Sequence, residues 1–137
     1  MKIIINGTEF ECIGHSKISS IGNPESKQEK YFLENDQSLL VIPDENLAYI
    51  GANHGRLKEF DNFPNEVTFN EKKMTLANHD YQIELEKVFG LTEGECEFWD
   101  YECDDDNMFI SVAVMTNGQR SDVVLTKVNF DDIQTKG

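Results

Sequence analysis

The sequence predicts an all-β domain, either an antiparallel sandwich or a partly open barrel, built from two similar halves. Three observations carry that expectation. Apolar and polar residues alternate along much of the chain, and no segment keeps a helical period over a window of about eleven residues. Short apolar runs recur between clusters of Asn, Asp, Gly and Pro, which is how closely spaced strands and turns read. Finally, the run from Ile3 to His15 is echoed by the run from Val67 to His79: alternating apolar residues, an Asn at a turn, then a second alternating run. Chance is the competing account of the echo, because the pleat makes all amphipathic hairpins resemble one another. The expected organisation is a single domain, 1–137, with an internal repeat of 1–60 and 65–137.

The elements follow in order. Asn6-Gly7, between Ile3–Ile5 and Glu9–Ile13, is a strong signal for a two-residue type I′ hairpin turn. A strand continues through Gly14–Ile21, and Gly22–Gln28 reads as a loop by composition. Tyr31–Leu33, Leu39–Ile42 and Leu47–Ile50 then form a three-strand meander. Gly51–Asn65 has no clear period and joins the halves. Val67–Phe69 and Met74–Leu76 make the second hairpin. Tyr81, Ile83 and Leu85 alternate cleanly and are expected to face inward, and the apolar phase slips at Val88-Phe89, which predicts a bulge or a strand end there. Glu95–Cys103, Met108–Thr116 and Asp122–Val128 give a second meander. Asp131–Gln134 has room for one short helical turn.

Composition narrows the function classes. The 137 residues carry a net charge of −14, from 26 acidic and 12 basic side chains. Such a surface repels nucleic acid and anionic lipid, and it suits a basic protein partner; solubility alone is the plainer explanation. No run approaches the ~20 apolar residues that span a bilayer, and the apolar run after Met1 is shorter than a signal-peptide core, so the expected location is cytoplasmic. Three cysteines, an odd number, fit that compartment. Cys96 and Cys103 on one strand would stand roughly 23 Å apart on opposite faces, too far for a bridge. All three are expected as small buried hydrophobes.

Candidate chemistry is sparse. Asp104-Asp105-Asp106-Asn107 is the densest set of oxygen ligands, but its acids are contiguous and lack the glycine of a calcium loop, so a solvated hairpin tip is the expected reading and no metal is assigned. His15, His54 and His79 lack zinc spacing and read as polar strand-end residues. Gly51–Arg56 bears glycines but no Lys-Ser/Thr for phosphate. No nucleophile elbow is present, so no catalytic residue and no cofactor are assigned, although a triad assembled in space has no signature in sequence. Trp99 and Tyr101 share one strand face and Phe98 points to the other. They read first as core and second as a partly exposed anchor for a partner.

The order Cys96-Glu97-Phe98-Trp99-Asp100-Tyr101-Glu102, acidic turn, Met108–Val112, Asn117-Gly118 and Val128–Ile133 resembles the bacterial domain-of-unknown-function 4178 family. Gly7–Gly14 and Tyr31–Ile42 fit the same pattern more loosely, with Leu39-Leu40 where the family often has Trp-Leu. The resemblance implies an accessory or interaction role, linked through genomic neighbours to envelope stress, and it implies no catalytic residue. The leading expectation is therefore a non-enzymatic protein-interaction or accessory module, with Asp104, Asp105, Asp106, Trp99 and Tyr101 as candidate contact residues. The alternative is an acidic inhibitor or immunity-type protein that neutralises a basic target. An enzyme would require a cleft with convergent polar groups.

Overall fold

The computed structural model describes residues 1–105 and 107–137. The chain opens with a hairpin of β1 (Lys2–Ile5) and β2 (Thr8–Ser20). Asn6 and Gly7 both take left-handed φ values, 49° and 83°, as a type I′ turn requires. A meander of β3 (Asn23–Leu33), β4 (Gln37–Ile42) and β5 (Leu47–Asn53) follows. After the connection through residue 65, the second hairpin pairs β6 (Glu66–Phe69) with the long β7 (Lys72–Gly90). The second meander is β8 (Cys96–Cys103), β9 (Met108–Met115) and β10 (Arg120–Val128), and β11 (Ile133–Lys136) ends the chain against β1. Among the described residues the only helical pieces are three single 3-10 turns, and no helix is long and apolar enough to cross a membrane.

The sheet runs β11-β1-β2-β3-β4-β5-β10-β9-β8-β7-β6, and a further pairing of β2 with β7 closes it. Eight antiparallel strands therefore form a closed barrel, neither a sandwich nor a partly open sheet, with β1, β11 and β6 as extensions. Outward from the β5–β10 pairing, the order is β5-β4-β3-β2-β1 on one side and β10-β9-β8-β7-β6 on the other. At the closing seam Gly14 stands opposite Gly90. A Cβ on Gly90 would lie 2.0 Å from the Ile13 carbonyl oxygen, and one on Gly14 would lie 2.2 Å from that of Leu91. Backbones meet where side chains would collide, which is the use of glycine here.

Two sequence expectations need correction. Gly22–Gln28 is not a loop: β3 begins at Asn23, and its ladder with β2 jumps from Ser20↔Asn23 to Ile18↔Gln28. The loop-like residues Pro24–Lys27 form an irregularity within the pair. The Ser19 hydroxyl lies 3.1 and 3.2 Å from the carbonyl oxygens of Asn23 and Ser26 and ties it down. The second correction concerns β7, where the alternation is right and the facing is inverted. Tyr81 and Leu85 are 52% and 47% exposed, and it is Asp80 and Gln82 that line the barrel interior. Of the bulge or strand end expected near Val88, the structure has the bulge, as a register shift between the His15↔Phe89 and Ser16↔Lys87 pairs, and β7 runs on to Gly90.

Apolar burial lies largely outside the barrel wall. One cluster joins Trp99, Tyr101, Ile110 and Val112 to Phe69 and Met74 of the second hairpin, plugged by Phe60 from the inter-half connection. Another joins Leu33, Leu39, Val41 and Ala48 to Ile3 and Ile5 of the first hairpin, flanked by Phe130 and Ile133. With outer faces occupied in this way, alternation turns the intervening, more polar residues into the lumen.

Candidate functional site

The lumen holds a cavity of about 470 Å³ with wall residues from seven of the eight barrel strands. Its facing follows from the ladder. On β8 the outer cluster takes Trp99 and Tyr101, so Phe98 and Asp100 point inward. Ser111 stands opposite Asp100 on β9, and Phe109, two residues earlier, shares its face. On β3 Tyr31 packs outward, which leaves Gln28 and Lys30 for the interior, and Ser38 and Leu40 follow on β4. Part of the wall is apolar: Ile18, Leu40, Val123 and Leu125 are buried together with Phe109 packed against them. The exposed residues Gly22, Asn23 and Asn78 also belong to the wall and mark the opening to solvent.

The polar groups are held in place. Lys30 Nζ lies 2.7 Å from Glu93 Oε2, with side-chain exposures of only 12% and 11%. Removing either partner would leave an uncompensated charge in a largely desolvated place. Glu93 belongs to the segment between β7 and β8, which is pinned on both sides of it. Leu91 N–H donates to the Ile13 carbonyl at 3.1 Å, and Gln82 Nε2 donates to that of Gly94 at 2.7 Å. Thr92 adds a hydrogen bond to the Glu84 carboxylate and accepts one from Ser16 Oγ at 2.9 Å. At the opening, Asp80 accepts from Gly22 N–H at 2.9 Å, joining the β2–β3 turn to β7.

Asp100 is the electrostatically distinctive group. Burial pushes its carboxyl up to about 7; a hydrogen bond with Ser111 and the charge of Lys30 oppose the rise, and Glu102 and Glu93 add to it. The cavity therefore presents one lysine against three carboxyls, Asp80, Glu93 and Asp100. Chemically it is suited to holding a polar group by charge and hydrogen bonds while an apolar body rests against Phe98, Phe109 and Leu40.

The residues singled out in the sequence lie elsewhere. Trp99 is 8% exposed and stacked between Phe63 at 3.7 Å and His79 at 4.4 Å. Tyr101 is fully buried and donates its hydroxyl to the Pro64 carbonyl at 2.8 Å. Both are core. Asp104 is exposed, and Asp105 ties the tip of the β8–β9 hairpin, where its carboxylate meets Cys103 Sγ at 2.8 Å, Lys72 Nζ at 2.5 Å and Asn107 N–H at 3.1 Å. Those contacts hold its carboxyl well below the usual range. Asp106 lies outside the described residues. The three cysteines are free thiols and buried, and none of the three histidines lines the cavity. Lys30, Glu93, Asp100 and Ser111 were missed. The available signal was Asp100 itself, an acid set between Trp99 and Tyr101 in a strand whose other face is aromatic.

No family model, no curated protein and no solved structure matches the chain.

Proposed function

We propose that the chain is a non-enzymatic binding module whose ligand is a small organic molecule seated in the barrel lumen. The observation that carries this reading is the cavity, with its buried Lys30–Glu93 pair, its inward Asp100 and its apolar wall. Its volume falls within the range of roughly 300–1,000 Å³ common to small-molecule sites. The test is a small-molecule screen read by native mass spectrometry and thermal unfolding, with Ser111→Phe as the blocked lumen. A true ligand stabilises the wild type by about 2.7 kcal/mol at a hundredfold excess over its Kd and leaves the folded blocked variant unaffected. Ligands that bind both proteins equally, or no binder in a chemically broad collection, overturn the reading.

A second reading, docking of a basic protein partner or target, is favoured by a separate observation. Ile21, Tyr81, Leu85 and Leu91 are exposed apolar residues at or beside the β2–β7 seam, on a chain of net charge −14. Capture of a partner whose binding is lost in Tyr81→Asp with Leu85→Asp, at unchanged fold, would support it. Retention of the partner by that variant would remove it.

A further inference from the structure

We infer that the lumen selects an organic cation, a protonated amine carried on a small apolar or aromatic body. The inference rests on reading the lumen as a binding site and adds the chemical class of its occupant.

Charge is the first support. The wall carries one cation, Lys30, and Glu93 already neutralises it at 2.7 Å. Among the described residues neither Asp80 nor Asp100 makes an ion pair, and Lys30, whose charge reaches Asp100, is held by Glu93, so an arriving anion meets carboxylates and an arriving cation completes a pair. Aromatic placement is the second. Phe98 lies two residues before Asp100 on the same inward face, and Phe109 lies two before Ser111 on the adjacent strand. An ammonium held at Asp100 is thus beside rings, whose faces attract cations. The apolar wall of Ile18, Leu40, Val123 and Leu125 gives the third, a place for the carbon body of the ligand.

A pH signature follows. Asp100 is faced by Lys30 from β3, Glu93 from the β7–β8 segment and Glu102 from its own strand, with Ser111 on β9 and the carboxyl of Asp80 also on the cavity wall. A cation prefers the ionised carboxylate, so its binding releases the proton that burial retains. Affinity therefore rises with pH through the range where Asp100 titrates and levels off above it. An alkylammonium, with a pKa near that of lysine at about 10.4, stays charged throughout that range.

The experiment is calorimetric titration of the full chain at pH 5.5, 7.0 and 8.5 with three probes of similar size: 2-phenylethylammonium, neutral 2-phenylethanol and anionic phenylacetate. The expected order is cation, then alcohol, then anion. Cation affinity should tighten by up to ~10-fold per pH unit below neutrality, with no such trend for the alcohol. Asp100→Asn should weaken the cation at least ~10-fold at pH 8.5, flatten its pH profile and spare the alcohol. If the alcohol or anion binds as tightly as the cation, and Ser111→Phe abolishes that binding, the cationic class fails and the lumen reading stands. If no probe binds the wild type, the cationic class fails and the lumen reading is decided by the broad screen; if the cation binds Ser111→Phe as well as wild type, both fail.

Discussion

The two halves each stack a histidine on an aromatic ring across their first long strand pair, and the two stacks are assembled differently. In the first, His15 packs on Tyr31 at 4.1 Å and hydrogen-bonds Glu29 at 2.9 Å. In the second, His79 packs on Trp99 at 4.4 Å and hydrogen-bonds Glu97 at 2.7 Å. The middle member differs. His15 sits between Tyr31 and the edge of Phe89 and is 9% exposed, whereas in the second stack Trp99 is the middle ring, between His79 and Phe63, and His79 stays open to solvent. One strand pattern thus sets the same pairwise contacts twice. The covering segment, β7 in one case and the inter-half connection in the other, decides which residue becomes core.

The strongest way to break this comparison is truncation of the aromatic ring on which each histidine stacks. Trp99→Ala should cost ~3–5 kcal/mol, read as a lower chemical-denaturation midpoint, and Tyr31→Ala distinctly less. Equal costs would mean that stacking order does not govern burial. Next in size is a pH effect confined to the second half, where the residue after the stacked ring is Asp100 and its counterpart after Tyr31 is Phe32. Because burial lifts the Asp100 carboxyl from 3.8 to about 7, the folded state holds a proton that the unfolded chain has already released within that window. Stability must therefore fall as pH rises from about 4 to 7 and level off above. The change is on the order of 2 kcal/mol once the solvent-open cavity is allowed for. Denaturation midpoints of Asp100→Asn across that window should lose this slope, and an unchanged slope would place the titrating group elsewhere.

Histidine truncation sharpens the contrast at a smaller scale. His15→Ala should cost ~1–3 kcal/mol and His79→Ala under ~1 kcal/mol, by the same measurement. The smallest expected effect lies in the two hairpin turns. Asn70 and Glu71 adopt φ values of 50° and 66°, in the left-handed region taken by Asn6 and Gly7. Glutamate carries steric strain there that glycine lacks, so Glu71→Gly should stabilise by ~0.5–1 kcal/mol, seen as a modest rise in Tm. A loss of stability would show that the second turn is held by side-chain contacts that the first lacks.

Much of the architecture could be read from the residues because it depends on local rules. Asn6-Gly7 specifies its turn, the two meanders fall where the apolar runs do, and the slip at Val88 marks its bulge. What escaped depended on distant surroundings. Tyr81, Ile83 and Leu85 read as inward-facing because apolar residues usually face a core, but here the stretch of β7 around them borders a polar lumen. Phe60, fully buried, sits in the one stretch without periodicity, where alternation carries no information. Trp99 and Tyr101 were legible as a shared face, but not as a face roofed by the connection that supplies Phe60 and Phe63. The cavity was the least accessible of all. Lys30, Glu93 and Asp100 come from two strands and a connecting segment, and nothing local to any of them announces the others.

The glycine seam has a consequence for how the molecule is made. Ser16 and Glu84, a hydrogen-bonded pair beside that seam, are 68 residues apart in the chain. At synthesis rates of about 5–20 residues per second, β2 leaves the ribosome roughly 3–14 s before its partner strand exists. During that interval the first half can pair its own meander and hairpin, while one long edge of β2 has no neighbour from the same chain. A nascent chain is then open to pairing with another copy, and the bare backbone at Gly14 offers no side chain to block the approach.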